Sequence, residues 1–474
     1  MSLGVIPLFK RVVHRALGLL GYRFVKLSKE PPALVVTQVT YPDWSLLGVE
    51  SSSNTVDLKL PYGIAASALA REAIAAIKEQ ETKHDYHAIV RLRRQYRRDL
   101  KIDKPAVRII GSGWLKNIGQ IAHLDIYFKL KALGMLEPSE TIICLDDVTP
   151  VNKSLLSYFA PFASHVVPNR AALGEAGNLM ELFAESTVSV DLADGDIRLF
   201  HSLFYDVAVA WQRQARPPLV TLRPEHRAAG RRWLSSLGLP DDGWFVTFHC
   251  RTTRNHQDLR SVRLETYTRA MEAVIRAGGW VVCMGTPNLV DAHPKIINRE
   301  DHRIPNDDWK DVFLIAGCRF FVGCTSGPAD VANAFGVPSI ITNTVQIGSQ
   351  AAHNHDLFIP KLLLSRKTGR LLTIAESLEH HGTACSSNPS DFAALGIDLI
   401  DNTPEEIEAV VCEMIKRLDG AAVDIAPWEE AAQQRLREFR IPPLLGHGPI
   451  MAGKTRMGRD FLRRNASVLG LIGD

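Results

Sequence analysis

The sequence lacks the features that mark membrane-spanning and disulfide-rich proteins. Its 474 residues contain no stretch of about 18 uncharged apolar residues, the length at which a spanning helix becomes a candidate. No CxxC pair occurs, and the seven cysteines are an odd number scattered along the chain. Several stand within apolar runs, where cysteine behaves as a small hydrophobic residue. We therefore expect a reducing compartment and no structural zinc.

An excess of charge of one sign is also missing. The net charge is +3 and the pI is 8.4, whereas a dedicated nucleic-acid-binding domain usually has a pI above about 9. The chain holds no GxSxG nucleophile elbow and no Walker sequence, and Lys116 stands where the GSG at 111–113 would need its third glycine. The adjacent acids Asp146 and Asp147 do not share one face, and no histidines stand at zinc spacing. The sequence thus predicts neither a nucleic-acid partner nor a metal site.

Residues 1–29 predict an amphipathic basic helix. Six lysines and arginines and no acid occur there, interleaved with apolar residues at helical spacing. A signal peptide would instead place its charge before the apolar run and small residues after it. Two interpretations stay open: the helix lies on the anionic inner leaflet of a membrane, or it packs on the protein itself. We expect a cytoplasmic protein, which the first interpretation would hold peripherally at the membrane.

Length and pattern predict an α/β protein of two domains. The chain is long for a single core, and 46% hydrophobic with 23% charged residues is typical of globular proteins. Predicted strands alternate with helices in two blocks, which favours parallel sheets, and the connection at 213–224 holds three prolines. We predict two Rossmann-like doubly wound domains with an N-terminal helical extension. The boundaries are 1–60 for the extension, 61–216 and 217–420 for the two domains, and 421–474 for a basic tail that folds back as a return helix.

The candidate binding residues follow the ends of predicted strands, because ligands of an open parallel sheet bind outside the carboxyl ends of its strands. After the first strand of the second block come Arg251 and Arg254, whose guanidinium groups match the oxygens of a diphosphate. A surface salt-bridge pair is the alternative interpretation. After the second strand come Gly285 and Thr286, where the missing side chain lets a ligand approach the backbone.

The most specific pattern is Thr325-Ser326-Gly327, which stands between a predicted strand and a helix that begins at Pro328. N–H groups at a helix start attract an anion, and small hydroxyl residues add hydrogen bonds. The alternative is that Ser326 is simply the N-cap of the helix. The first interpretation predicts a phosphate-binding turn.

The stretch 317–343, GCRFFVGCTSGPADVANAFGVPSIITN, resembles the donor-binding stretch of GT-B glycosyltransferases. In that pattern a strand delivers a small-residue turn, a helix follows, and an FGxP turn leads to the next strand. The segments WFVTFHCR at 244–251, GGWVVCMG at 278–285 and NIGQIAHLDIY at 117–127 are similar to a bacterial group whose glycosyltransferase activity is itself inferred from the GT-B fold. The resemblance covers roughly half the chain.

The resemblance implies an enzyme that moves a sugar from a nucleotide-sugar donor to a surface polysaccharide, a glycolipid or a glycoprotein. Such enzymes work without a metal or another cofactor. The second domain would bind the donor through the strand-end residues and Asn343. The first domain would bind the acceptor near Ser112, Gly113 and Trp114.

A glycosyl transfer also needs a base for the acceptor hydroxyl, and the resemblance places it in the first domain, facing the cleft. His123 and Asp125 are the candidates. The sequence departs from the pattern after Arg251, where Thr252 and Thr253 stand in place of an expected acid.

Two rival functions stay open. A nucleotide-sugar epimerase on the same fold would bind the same donor but would need acids in both walls of the cleft. A non-catalytic protein for glycan binding or assembly would account for the missing acid after Arg251.

Overall fold

The computed structural model describes residues 64–102, 107–146, 148–251, 259–285, 293–345, 356–379, 389–440, 450–451 and 454–472. All of them belong to one compact unit of the chain, Trp44–Asp474. The predicted helix at 1–29 and the predicted donor-binding residues Arg254 and Thr286 lie outside the described residues. We call residues 64–216 the N-terminal half and residues 217–472 the C-terminal half. The predicted domain boundaries stay predictions.

The N-terminal half opens with two helices and a small parallel sheet. Helix α1 is Ala68–Thr82 and helix α2 is Tyr86–Asp99, whose start is capped by Asp85 because its side chain accepts the N–H of Ala88 at 2.9 Å. The sheet order is β1-β2-β3, with strands Val107–Ile110, Glu140–Cys144 and His165–Val167. The remaining elements are α3 (Ile118–Ala122), α4 (Leu124–Ala132), α5 (Lys153–Phe159), α6 (Glu175–Asn178), α7 (Met180–Phe183), the hairpin β4 (Ser189–Asp191) and β5 (Ile197–Leu199), and α8 (Leu203–Arg213).

This first sheet is only in part what the sequence predicts. A doubly wound sheet adds strands on both sides of its first strand. Here β2 and β3 both lie on one side of β1. On the other side of β1, the described residues form no further strand, and the only pairing is a single parallel bridge between Ile109 and Ala184. The N-terminal half is therefore α/β with a parallel sheet, but its second winding is rudimentary.

The C-terminal half is built on a seven-stranded parallel sheet in the order β14-β11-β10-β9-β6-β7-β8. The apolar run at 280–284 predicts a strand and the amphipathic stretch at 404–418 predicts a helix, and the structure has both elements with these bounds. Its strands are β6 (Phe245–His249), β7 (Trp280–Met284), β8 (Ile296–Asn298), β9 (Phe321–Gly323), β10 (Ser339–Thr344), β11 (Leu357–Pro360) and β14 (Arg456–Met457), with β12 (Leu362–Ser365) and β13 (Ile397–Ile400) as a separate antiparallel pair. Its helices are α9 (Pro224–Ser236), α10 (Thr268–Arg276), α11 (Asp308–Ala316), α12 (Gly327–Ala334), α13 (Ile374–Glu379), α14 (Pro389–Leu395), α15 (Pro404–Leu418), α16 (Pro427–Glu438) and α17 (Arg459–Asn465).

The two halves share one hydrophobic core. A single cluster of buried side chains contains Tyr127 and Leu155 from the N-terminal half together with Phe313 and Val331 from the C-terminal half. A second cluster fills the other face of the large sheet, where α10, α15 and α17 pack. Phe461 of α17 is buried in this second cluster.

Candidate functional site at the carboxyl edge of the large sheet

The strand order of the large sheet reverses at β6. Strands β7 and β8 follow on one side of β6, and β9, β10 and β11 follow on the other. Such a reversal opens a crevice outside the carboxyl ends of the two central strands, which is where ligands of open α/β sheets bind. The chain places His249 at the end of β6, Gly285 after β7, and Thr325 with Ser326 after β9. Thr325 and Ser326 therefore lie at the switch point between β6 and β9, and Gly285 lies at the end of the neighbouring strand β7.

His249 connects these strand ends. Its Nδ1 and the Oγ of Ser326 share a hydrogen bond of 3.1 Å. Its Nε2 faces Gly285, where an added Cβ would come within 2.9 Å of that nitrogen, so glycine is needed for the ring to fit. Burial lowers the pKa of His249 to about 4, and the positive charge of Arg251 acts in the same direction. The imidazole is therefore neutral near pH 7.

Ser326 occupies the N-cap position of α12 but does not act as a side-chain cap. Its backbone is extended, with φ −161° and ψ 159°, and its hydroxyl makes no capping hydrogen bond because it turns to His249. The side-chain cap that the alternative interpretation of Ser326 assumes is therefore not formed. Beside it, the buried Oγ1 of Thr325 has no hydrogen-bond partner among the described residues. An orphaned buried hydroxyl is unfavourable by about 1–3 kcal/mol unless a ligand or water satisfies it.

Two further predicted donor-binding residues lie near this edge. Arg251 is half-buried, and its charge acts on the pKa values of both His249 and Cys324. Asn343 is buried at the end of β10, and its amide is engaged by the protein itself. Its Oδ1 accepts the N–H of Asn402 at 2.8 Å, and its Nδ2 donates to the hydroxyl of Tyr267 at 3.2 Å. Asn343 thus has an evident role in holding the sheet edge.

The N-terminal half reaches this edge through α3. We call the contact between α3 and the start of α12 the seam. A Cβ on Gly119 would come within 2.9 Å of the Cα of Gly327, and a Cβ on Gly327 within 2.7 Å of the backbone N of Gly119. The two backbones therefore touch, and the seam has no room for a side chain at either position. The close approach of the two backbones therefore explains why glycine stands at both positions.

The two candidate bases occupy different environments. His123 lies at the seam, where its Nε2 is 3.4 Å from the Oδ2 of Asp330 in α12. Asp125 lies inside the N-terminal half, where its Oδ2 pairs with the Nζ of Lys129 at 2.5 Å and both side chains are at most 5% exposed. The structure therefore brings His123, but not Asp125, into contact with the C-terminal half.

The predicted acceptor-binding residues are not alike in their exposure. Trp114 is buried in the core, where its Nε1 donates to the carbonyl of Glu185 at 3.1 Å. Gly113 is exposed, and Ser112 is half-buried in the same short 3-10 helix. Only the latter two offer polar groups at the surface.

Sequence reasoning missed three residues of this site: His249, Glu300 and Asp330. The carboxylate of Glu300 accepts the N–H of Gly285 at 3.2 Å and is held by Arg303. A histidine as the last residue of a buried strand was the one available signal, because a polar residue there faces the carboxyl edge. Glu300 and Asp330 reach the site only through tertiary packing, so no local sequence pattern indicates them.

A cavity of about 350 Å³ lies elsewhere, between α10, α15 and α17. It shares no lining residue with the sheet edge. Several of its charges are already neutralised, since Arg269 pairs with both Glu405 and Glu408. This cavity is therefore not part of the site at the sheet edge.

Three further features of the described residues are their potential metal ligands, the lengths of their helices and the state of their cysteines. In the described ranges, no group of three or more histidines, cysteines or acids could hold a metal ion. None of the helices described here is both long and apolar enough to cross a bilayer. The six described cysteines form no disulfide, and burial raises the pKa of Cys283 and of Cys318 to about 12, so these thiols are protonated at neutral pH.

No protein-family model and no curated protein matches the chain. Among solved structures, it is similar to a family 9 glycosyl transferase from Veillonella parvula, with 12% identity, a TM-score of 0.34, and coverage of 50% of this chain and 79% of that one. It is also similar to the ADP-heptose lipopolysaccharide heptosyltransferase II of E. coli, with 15% identity, a TM-score of 0.31, and coverage of 50% and 83%. A third is the dodecameric iron-containing heptosyltransferase TibC in complex with ADP-D-β-D-heptose, with 13% identity, a TM-score of 0.30, and coverage of 67% and 77%. All three of these similar structures are glycosyltransferases.

Proposed function

We propose that the chain is a glycosyltransferase of GT-B type that moves a sugar from a nucleotide-sugar donor to an acceptor hydroxyl. The observation that carries the proposal is the switch point of the large sheet, where Ser326 leaves the start of α12 without a side-chain cap and Thr325 holds an orphaned buried hydroxyl. Both features suit an anionic ligand that accepts hydrogen bonds from a helix start. The N-terminal half meets the same place through the seam.

The donor diphosphate would lie against Thr325, Ser326 and Gly327, with Arg251 supplying positive charge. When the bond between sugar and phosphate breaks, negative charge develops on the leaving nucleoside diphosphate. The N–H of Gly327 and the guanidinium group would stabilise that charge without a metal, since Pro328 has no N–H and those of Ala329 and Asp330 donate to the carbonyl of Ser326. The predicted contributions of Arg254 and Thr286 belong to the same proposal.

His123 is the better candidate for the base. It must take the proton of the acceptor hydroxyl while the oxygen attacks the anomeric carbon, so it has to face the donor. His123 lies on the seam beside α12, whereas Asp125 is paired with Lys129 inside the N-terminal half. Acceptor contacts are proposed for Ser112 and Gly113, which remain at the surface.

The acceptor class and the location follow from the sequence resemblance and from the basic helix at 1–29. We propose a surface polysaccharide, a glycolipid or a glycoprotein as the acceptor, and a peripheral position at the inner leaflet. Glutamate in place of Lys10, Arg11 and Arg15 should then release the protein from anionic vesicles in a sedimentation assay. Unchanged sedimentation would count against the membrane position but not against the transferase.

The donor site is tested by thermal unfolding with UDP, GDP, CDP, CMP and ADP. A nucleotide at about 100 times its dissociation constant should raise the free energy of unfolding by about 2.7 kcal/mol. We expect one nucleotide to stabilise the wild type but not the double variant Ser326→Ala with Arg251→Ala. The matched control, Ser236→Ala with Arg366→Ala, changes exposed residues outside the site and should keep the shift.

Product analysis separates the rival functions. A transferase releases the nucleoside diphosphate as the sugar moves to an acceptor or to water. An epimerase returns an isomerised nucleotide sugar and needs no acceptor. Absence of binding by all five nucleotides would overturn the proposed donor site and favour a non-catalytic glycan-binding protein.

A further inference from the structure

We infer that Asp330 of the C-terminal half is a positioning residue for His123 of the N-terminal half, so that the base is assembled across the seam. This inference rests on the proposed transfer reaction and names a residue that neither the sequence pattern nor the proposed donor site includes. It is carried by the contacts of the two side chains.

The ring of His123 is enclosed on several sides by other rings. His123 is 9% exposed. Its ring centroid lies 4.9 Å from that of Phe204, 5.9 Å from that of Phe200 and 5.2 Å from that of His201, the last at an interplanar angle of 89°. These neighbours fix the plane of the imidazole but offer no charge to its Nε2. In the described part of the chain, Asp330 is the one acid within ion-pair distance of the ring.

Asp330 is itself held in place by the seam. It lies in the first turn of α12, where a carboxylate is favoured by the positive end of the helix dipole. Its Oδ2 is the atom that faces His123, at 3.4 Å, and the same atom would lie 3.1 Å from a Cβ on Gly119. The carboxylate therefore rests against the backbone of α3, and the glycine leaves the space that it occupies.

This arrangement determines which nitrogen of His123 can act as the base. The Asp330 side chain is 34% exposed and its Oδ2 lies at ion-pair distance from Nε2, and a carboxylate in that place favours the tautomer that carries its proton on Nε2. Nδ1 is then the atom that accepts the proton of the acceptor hydroxyl. The oxygen forms its bond to the anomeric carbon with the electron pair that it retains, and the bond to the phosphate oxygen breaks with its pair on the leaving diphosphate. Asp330 stabilises the imidazolium that results.

The inference also links the two parts of the proposed site. Ser326 and Asp330 lie at the start of one helix, α12. Asp330, the acid that orients the base, therefore lies four residues after Ser326, on the same helix whose start would hold the donor. Contact of the two halves at Gly119 completes the arrangement.

Asp330→Asn tests the role because it keeps the shape of the side chain and removes its charge. The matched control is Asp308→Asn, since Asp308 also joins the two halves, accepting the N–H and the hydroxyl of Ser154 at 3.0 Å each, but does not contact His123. The imidazole nitrogens are followed by ¹⁵N NMR of histidine-labelled protein, with His123→Gln to assign the signal. We expect the His123 nitrogen shifts to change in Asp330→Asn and to stay at their wild-type positions in Asp308→Asn. Unchanged shifts in Asp330→Asn would overturn the inference.

Turnover provides the second readout, with UDP-glucose, GDP-mannose and ADP-glucose as probes and release of the nucleoside diphosphate as the signal. Asp330→Asn should lower kcat by about 10²-fold, at the lower end of what a positioned base contributes, while nucleotide affinity and thermal stability remain those of the control. An equal kcat in both variants would overturn the positioning role. Absence of turnover in the wild type would instead count against the proposed function with these donors, and the NMR comparison would still decide whether Asp330 orients His123.

Discussion

Replacing Gly327 by alanine should destabilise the protein, although alanine is the better helix former. Gly327 begins α12, and its φ is not in the left-handed region, so its backbone does not require glycine. The added Cβ would, however, lie 2.7 Å from the backbone N of Gly119 and 2.8 Å from the Cγ2 of Ile118. The first of these atoms belongs to a helix backbone and cannot move aside without shifting α3.

The sign of the effect is decided by two opposed terms. Helix propensity favours alanine over glycine by at most about 1 kcal/mol. Forcing an extra methyl group into a packed contact costs about 1–3 kcal/mol, because neighbouring backbone has to shift. A contact at 2.7 Å is closer than carbon and nitrogen normally approach, so we expect the steric term to exceed the propensity term. The expected net loss is about 1–2 kcal/mol in the free energy of unfolding.

Chemical denaturation of matched variants measures this loss. Gly113→Ala is the control, because Gly113 also lies in a helical turn but an added Cβ there meets nothing within 4 Å. A double variant with Gly119→Ala separates the seam from local effects. Both methyl groups would press on the same contact, so the second substitution should destabilise the protein less once the first has moved the two halves apart. The loss of unfolding free energy in the double variant should therefore be smaller than the sum of the two single losses by at least about 0.5 kcal/mol.

Two results would refute this account of the seam. One is a Gly327→Ala protein as stable as Gly113→Ala. The other is strict additivity of Gly119→Ala and Gly327→Ala, which would mean that the two positions do not share a contact.

Three further predictions concern single residues. Burial lowers the pKa of His249 from its ordinary value of 6.5 to about 4 in the folded protein, so lowering the pH through this window protonates only the unfolded chain and lowers the free energy of unfolding. His249→Asn should flatten that decline in denaturation curves, and equal slopes in the variant and the wild type would contradict the assignment. Arg299 is 0% exposed and pairs with two aspartates at 2.8 Å each, so Arg299→Met should cost about 3–5 kcal/mol in urea unfolding, whereas the exposed Arg366→Met should cost little. Thr403 and Glu406 form a capping box at the start of α15, so Thr403→Ala should cost about 1 kcal/mol and Thr403→Ser should restore most of it; equal losses in both variants would show that the hydroxyl is not the cause.

The elements that were predictable from the sequence are those with strong local signals. Strand β7 and helix α15 have the predicted bounds, because a short apolar run ended by glycine and an amphipathic stretch opened by Thr403-Pro404 need no distant partner to be recognised. The large parallel sheet followed from the alternation of such elements. The rudimentary second winding of the first sheet could not be predicted, because a single bridge at Ala184 leaves no strand-length apolar run in the sequence.

The candidate site was predictable only in part for a similar reason. Gly285, Thr325 and Ser326 follow strands, so their position at the sheet edge could be inferred from chain order alone. The partner of Ser326 could not, because His249 is 77 residues away and its hydrogen bond depends on β9 pairing beside β6. The same holds for Asp330, which faces His123 only because α12 packs on α3.

The sequence by itself determined the α/β class, the parallel sheets and the small-residue turn at the start of α12, since each of these depends on the periodicity and turn chemistry of neighbouring residues. Only the tertiary structure decided which strand ends meet at the switch point, that the hydroxyl of Ser326 turns to His249 instead of capping its helix, and that His123 meets Asp330 across the seam. The physical reason is that these contacts join residues far apart in the chain. Their geometry is set by the shared core of the two halves and by two glycines, Gly119 and Gly327, that let the backbones touch.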